Sequence, residues 1–302
     1  MDNNFKLPTF FVVGSQKSGT TTIHDLLIQN KKVSLPEYKE THFFSRDFNK
    51  GMDWYLEQFV NAKYDIRGEV DPSYMFFPNV YKNIQSLINK PIKFIFIFRK
   101  PIDRSYSHYM MSHSRGYENL SFLEAIELEK SRLDNDKSLF SYSNHSYLLR
   151  SEYANQILEF FKYFKDSKTL FLKFDDLLEI EKRENMYIEI CQFLNVKTLN
   201  KIDFNMDSNK ASMYRSKFLR NNLYNDTFLR RLLKKIIFSK KIRNKIRNKL
   251  YTINSKMINR NNLNKEKKEI FSQLPKKYLL WNNKEVEKLK KITNLDLDDW
   301  II

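Results

Sequence analysis

Cysteine is all but missing from this sequence. The single Cys191 excludes an internal disulfide framework. It sits in "MYIEICQFL", which reads as a buried helix face, so a packed thiol fits better than a nucleophile. Glycine is scarce, at 5 in 302 residues, so each glycine inside a motif carries more weight than usual. No apolar run approaches the ~18 residues that span a bilayer. The opening "MDNNFKLPTFFVV" runs straight into a strand-like stretch without signal-peptide architecture, which gives a cytoplasmic expectation. The 5 histidines have no Cys partner and form no His-rich cluster, so no metal site is expected.

Negative charge is also in deficit, with 36 Asp and Glu against 53 Lys and Arg, a net +17. The excess is local. Residues 221–270 hold 15 Lys and Arg against 3 acidic residues (Asp226, Glu266, Glu269), a net +12. Within them Phe238, Ile242, Ile246 and Leu250 recur every four residues, the pattern of a basic amphipathic helix. Three readings of this segment stand side by side. It is a solvated helical hairpin, a peripheral contact with anionic membrane at its inner face, or a surface for an anionic glycan or lipid-linked acceptor. Nucleic acid is not expected, because no reader motif accompanies the charge.

What is present in quantity is apolar and aromatic sequence arranged in alternating elements. Hydrophobic residues make up 41%, which excludes wholesale disorder. "TFFVV" (9–13), "PIKFIFIF" (91–98) and "TLFLKF" (169–174) read as buried strands. Helical patterns fall at about 20–29, 102–115, 121–132, 146–164 and 184–194, with a last helix near the C-terminus. His24, His108 and His113 lie on predicted helices, and His145 at or just before a helix start. Strands alternating with helices predict a doubly wound parallel α/β sheet flanked by helices, interrupted by the basic helical insertion at about 221–270.

"FFVVGSQKSGTTTIHDLL" (10–27) places a glycine loop between the first strand and the first helix. Gly14 and Gly19 have the spacing of a nucleotide-binding P-loop, but Thr20 stands where an ATPase has its lysine. The lysine lies inside the loop, at Lys17. Backbone N–H groups and a helix N-terminus would still face an anion there. A plain strand-to-helix turn with a surface lysine is the alternative from this stretch alone. After the strongest strand, "FIFIFRKPIDRSYSHY" supplies Arg99 and, eight residues on, Ser107. Arginine suits a second phosphate because its planar fork can bond two oxygens at once.

The arrangement G-x-x-K-x-G-T-T resembles the 5′-phosphosulfate loop of sulfotransferases that use 3′-phosphoadenosine 5′-phosphosulfate (PAPS). The resemblance implies that Lys17 stabilises the bridging oxygen as sulfuryl leaves, while Ser18, Gly19, Thr20 and Thr21 hold the 5′-phosphate. The Arg99 and Ser107 stretch resembles the family's 3′-phosphate motif. "PEYKETHFFSRD", "GMDWYLEQF" and "GEVDPSYMFFP" are similar to stretches of the heparan sulfate 3-O- and N-sulfotransferases and their bacterial relatives. That match implies Glu40 as the base that takes the acceptor proton, with His42 beside it; the reverse, His42 as base and Glu40 orienting it, stays open. A late loop, "SNKASMYRSKF", offers Lys210 or Arg215 as a further nucleotide contact. The chain departs from the pattern at Val70 and Asp71, where a basic residue is common, and at Ser45, where an aspartate follows "HFF".

The expectation is therefore one sulfotransferase domain over 1–302, with a P-loop-like sheet. It would pass a sulfuryl group from PAPS to a hydroxyl or amine of a carbohydrate or glycolipid acceptor by in-line displacement. Two alternatives remain. One is a small-molecule kinase with a degenerate P-loop, disfavoured by the lysine position and the lack of a Mg²⁺ aspartate after a strand. The other is a non-catalytic membrane- or polyanion-binding protein built around the basic segment.

Overall fold

The stretch "KFIFIF" places the two faces of the central sheet. Successive strand residues point to opposite sides, so Ile95 and Ile97 face one way and Phe94, Phe96 and Phe98 the other. In the computed structural model of the chain all five are fully buried. The structure describes residues 7–59, 66–199, 201–205, 212–214, 246, 249–250, 255–257 and 260–302.

The strands are β1 (Phe10–Gly14), β2 (Val33–Ser34), β3 (Ile66–Val70), β4 (Lys93–Phe98) and β5 (Thr169–Lys173). They form one sheet in the order β2-β3-β1-β4-β5, with every pairing parallel. The central β1, "FFVVG", is buried at all five positions, as a strand covered on both faces must be. The helices α1 (Thr20–Ile28), α2 (Gly51–Glu57), α3 (Val80–Leu87), α4 (Pro101–Arg115), α5 (Phe122–Glu127), α6 (Glu129–Asn135), α7 (Leu139–Asn144), α8 (Tyr153–Tyr163) and α9 (Ile180–Leu194) alternate with these strands or follow them. The expected P-loop-like α/β architecture is therefore what the chain adopts.

Cα packing divides the chain into two compact units. The first comprises Met1–Arg104, Arg150–Asn209 and Leu280–Ile302 and contains the whole sheet. Its aliphatic face packs Phe10, Val12, Ile95 and Ile97 with Ile23 and Leu27 of α1 and Met186 and Ile190 of α9. Its other face is aromatic. Phe160 of α8 lies 4.8 Å from Phe94 and 5.1 Å from Phe96, ring centre to ring centre. Such ring pairs add roughly 0.5–1.5 kcal/mol each beyond the area they bury. Cys191 is fully buried in α9, consistent with a packed thiol.

The second unit comprises Ser105–Leu149 and Lys210–Leu279. Its α5 starts on a capping box, in which the Ser121 side chain and Glu124 satisfy each other's backbone N–H groups. The single helix expected over 121–132 is a correction: α5 and α6 are separated at Leu128. The break lets the buried Glu129 carboxylate turn inward and accept the N–H groups of Leu148 and Leu149 at 2.7 and 2.8 Å. His145 is a second correction. It caps the end of α7 rather than preceding a helix, and its Nε2 lies 3.0 Å from the Tyr117 carbonyl. Ser212–Tyr214 and Ser255–Met257 pair antiparallel, and Arg260–Ser272 is helical. Most of the basic segment 221–270 lies outside the described residues.

Two further features of the first unit bear on the site. The helix expected from 146 begins only at Tyr153, because residues 149–151 form a tight turn that buries the Arg150 and Ser151 side chains. Beyond the last helix, Lys276–Thr293, the indole of Trp300 is 2% exposed and donates to Asp175 Oδ2 at 2.9 Å.

Candidate active site

The parallel sheet reverses its winding at β1, which pairs with β3 on one side and with β4 on the other, while the chain leaves it for β2 at the edge. Ligands of open α/β sheets bind beyond the strand C-termini at such a point. The loop 15–19 follows β1, Asp71 follows β3, Arg99 follows β4 and Phe174 follows β5, so the candidate residues gather on that edge.

The loop is latched to its neighbours. Ser15 donates both its backbone N–H (2.6 Å) and its hydroxyl (3.2 Å) to the Ile97 carbonyl, and its Oγ lies 2.6 Å from that of the buried Ser18. Gly19 takes φ 87°, which a side chain would strain, and a Cβ there would meet Leu177 Cδ1 at 2.4 Å. Gly19 caps α1 without a side-chain hydrogen bond, and no acidic residue occupies the first turn. The leading N–H groups of α1 are left for another acceptor, with the positive end of the helix behind them. Arg99 joins the two motifs: its Nη1 donates to the Lys17 carbonyl at 3.3 Å, and its guanidinium lies 4.6 Å from the Phe174 ring. Tyr153 holds the strand end by donating to the Arg99 carbonyl at 2.8 Å.

Glu40 and His42 are set by a second device. Glu69 and Asp71, two apart on and just past β3, lie on the same face and are fully buried. Glu69 Oε1 accepts the Thr41 N–H at 2.8 Å, and Asp71 Oδ2 accepts the His42 N–H at 3.0 Å. These bonds hold the short segment with Glu40 at φ 64° and His42 at φ 56°, left-handed conformations that non-glycine residues reach at about 1–2 kcal/mol each. Phe43 and Phe44 bury themselves next door, Phe43 stacking on Tyr55 at 4.6 Å. Tyr55 and Tyr74 both donate to Glu69 Oε2 at 2.9 Å.

The side chains then converge. His42 Nδ1 lies 2.8 Å from Asp71 Oδ2, a close ion-pair approach outside linear hydrogen-bond geometry. His42 Nε2 lies 3.8 Å from Glu40 Oε2, and Lys39 pairs with Glu40 Oε1. Donor atoms of Glu40, His42 and Asp71 all fall within 4.8 Å of one another, so these are the described residues that could face a cation.

Burial alone would push the His42 imidazole down, but the Asp71 contact and charge outweigh it and raise its pKa above 6.5. Burial would push Asp71 up, but His42 and the Ser73 and His42 N–H groups hold it below the usual carboxylate value. Glu69 is pushed up to about 7, by burial first and then by the Asp71 charge. A folded Glu69 therefore keeps a proton that the unfolded chain has released above about pH 4.5, so its effect on stability becomes less favourable from there to about pH 7. The stability His42 adds is full below 6.5 and is lost as pH rises through its higher folded value. Asp71 works oppositely and gives up its contribution only as pH falls below 3.8. The unfolding free energy from urea titrations should thus fall between pH 5 and 7, by up to ~1.4 kcal/mol per pH unit per proton, and Glu69→Gln should flatten the slope. An unchanged slope in that variant would remove Glu69 from the account.

Of the residues singled out from sequence, Lys17, Ser18, Gly19, Thr20, Thr21 and Arg99 lie at the loop and the end of β4, and Glu40 and His42 form the second cluster. Ser107 is half-buried on α4 and belongs to the second unit. Lys210 and Arg215 lie outside the described residues. The sequence reading missed the roles of Glu69 and Asp71, taking Asp71 only as a departure from pattern. The signal available was a carboxylate pair two apart at a strand end, "GEVD".

A parallel sheet with a lysine-bearing glycine loop and an uncapped helix behind it defines a P-loop-like α/β protein. The profile of the family described as "Sulfotransferase domain" matches residues 7–277, and the chain belongs to that family. It is 33% identical over 135 residues to the human bifunctional heparan sulfate N-deacetylase/N-sulfotransferase 3, covering 40% of this chain and 15% of that protein. It is 32% identical over 110 residues to the membrane-associated sulfotransferase kil1 of Dictyostelium discoideum, covering 35% of this chain and 23% of that one. The chain thus spans under a quarter of the length of these curated relatives. A sulfotransferase structure from Alicyclobacillus acidocaldarius superposes with a TM-score of 0.65 at 20% identity, covering 97% of this chain and 98% of the other, and shares the fold. Among the described residues no helix is long and apolar enough to cross a membrane.

Proposed function

We propose that the chain transfers the sulfuryl group of PAPS to a hydroxyl or amine of a carbohydrate or glycolipid acceptor. The observation that carries this reading is the coupling of the two phosphate motifs: Arg99, at the end of β4, donates to the carbonyl of Lys17 inside the glycine loop. A donor with phosphate at both ends of its ribose needs two cationic positions, and an ATPase loop needs only one with its lysine elsewhere. Lys17 and the α1 N–H groups hold the 5′-phosphosulfate, and Arg99 selects the 3′-phosphate. The acceptor oxygen or nitrogen attacks sulfur as the bond to the bridging phosphate oxygen breaks, and Lys17 stabilises the charge left there. Glu40 takes the acceptor proton.

The close approach of His42 to Asp71 favours a second reading of the proton step, in which His42 is the base and Asp71 orients it. The similarity to a heparan sulfate N-sulfotransferase supports a carbohydrate acceptor. The donor assignment is tested by thermal shift with adenosine 3′,5′-bisphosphate against ADP plus Mg²⁺. At about 100 times its dissociation constant a ligand adds roughly 2.7 kcal/mol, a shift of a few degrees. A shift with the bisphosphate alone is expected. A shift with ADP alone would return the protein to the kinase reading.

A further inference from the structure

Arg150 is a buried cation that forms no ion pair among the described residues. Its residue is 2% exposed, in the tight turn before α8. Nη1 donates to Gln16 Oε1, the residue immediately before Lys17 in the glycine loop. Its guanidinium lies 4.4 Å from the Phe76 ring and 5.2 Å from the Phe77 ring, which fix its plane. Among the described residues its Nε and Nη2 have no hydrogen-bond partner. Arg104 and Arg46 are close enough to repel it, Asp71 and Glu40 close enough to attract it, and it forms an ion pair with neither carboxylate among the described residues.

Those two unpaired atoms are not an arbitrary pair. Nε–H and Nη2–H point along one edge of the guanidinium and form the side-on fork that grips two oxygens of a carboxylate, phosphate or sulfate. Arginine does not escape burial by losing its proton under ordinary conditions, so an unmatched guanidinium among other arginines is costly unless something binds it. A strut for Gln16 alone would not need the charge, because a neutral donor could make the same bond to an amide oxygen.

Resting on the donor reading above, we infer that Arg150 is a further donor-site residue, whose Nε/Nη2 edge binds the sulfuryl oxygens of PAPS and which Gln16 positions. Its place fits that role. It is tied to the loop beside Lys17 on one side and lies within the fields of Glu40 and Asp71 on the other. An anionic group on the acceptor is the other oxyanion that such a fork could bind, and the test separates the two.

The experiment is calorimetric titration of the full chain with PAPS and, separately, with adenosine 3′,5′-bisphosphate, which lacks the sulfuryl group. Wild type is compared with Arg150→Met, Arg150→Lys and Gln16→Ala, each first checked for folding by circular dichroism. Arg150→Met is expected to weaken PAPS by about tenfold or more and the bisphosphate by less than about twofold. Arg150→Lys keeps the charge without the fork and should fall between. Gln16→Ala should weaken PAPS selectively but less. If Arg150→Met does not fold, the lysine and Gln16 variants carry the same comparison. Equal losses for both nucleotides would make Arg150 a structural residue and overturn the inference. Unchanged affinities for both would overturn it as well, and would point to the acceptor. Wild-type protein that binds neither nucleotide would overturn the donor reading itself, a result distinct from wild type binding both while the variants match it.

Discussion

Lys17→Ala is expected to lower kcat for sulfuryl transfer from PAPS by about 10²–10³-fold, the usual loss when one charge-stabilising donor is removed from a developing anion. The structure explains why no neighbour should replace it. Lys17 sits at φ 72° in a loop held by Ser15 to the Ile97 carbonyl and by Arg99 to its own carbonyl, so the backbone around the gap cannot readily close over it. The loop N–H groups and the first turn of α1 remain in the variant. Binding of adenosine 3′,5′-bisphosphate should therefore weaken much less than turnover. Single-turnover rates with saturating PAPS separate the two effects. A loss below tenfold in that rate would mean that the helix N-terminus and arginines carry the departing charge, and that Lys17 is a binding residue only.

The second large effect concerns the proton. Glu40→Gln should reduce kcat by about 10²–10⁴-fold, the range for removing a general base, while leaving nucleotide affinity nearly intact. Glu40 is held by Lys39 and lies near His42, in the segment braced by β3 rather than in the glycine loop. The competing assignment gives a different pattern. Against the burial that lowers it, the Asp71 contact and charge lift the His42 pKa above its ordinary value. If His42 were the base, the rate would climb with pH through that raised value, and His42→Gln would be the inactive variant. A pH–rate profile for wild type and both variants distinguishes them. Persistent activity in Glu40→Gln together with loss in His42→Gln would transfer the role to the His42–Asp71 pair.

Part of this is legible in the order of the residues alone. "KFIFIF" announces a buried strand because Ile and Phe alternate on the sheet's two faces, and the glycine loop announces itself because its residues are contiguous. Glu40 and His42 are also close in the chain, two apart in one short segment. The residues that escape notice act across distance. Glu69 and Asp71 reach the Thr41 and His42 backbone only because β3 pairs beside β1, 28 or 29 residues on in the chain. Arg150 reaches Gln16 across 134 residues. Periodicity also misplaces the start of α8, since the turn at 149–151 has apolar spacing compatible with a helix but commits its side chains to tertiary bonds. Local pattern identifies elements, and it is blind to which buried charge will answer which.

The indole of Trp300 changes how the chain's far end should be handled. Its bond to Asp175 braces the turn that carries Phe174 and Leu177, and those two side chains press on Arg99 and Gly19. A purification handle fused at Ile302 would hang two residues from a brace beneath the glycine loop. The damage would be read in nucleotide affinity while yield and solubility looked normal.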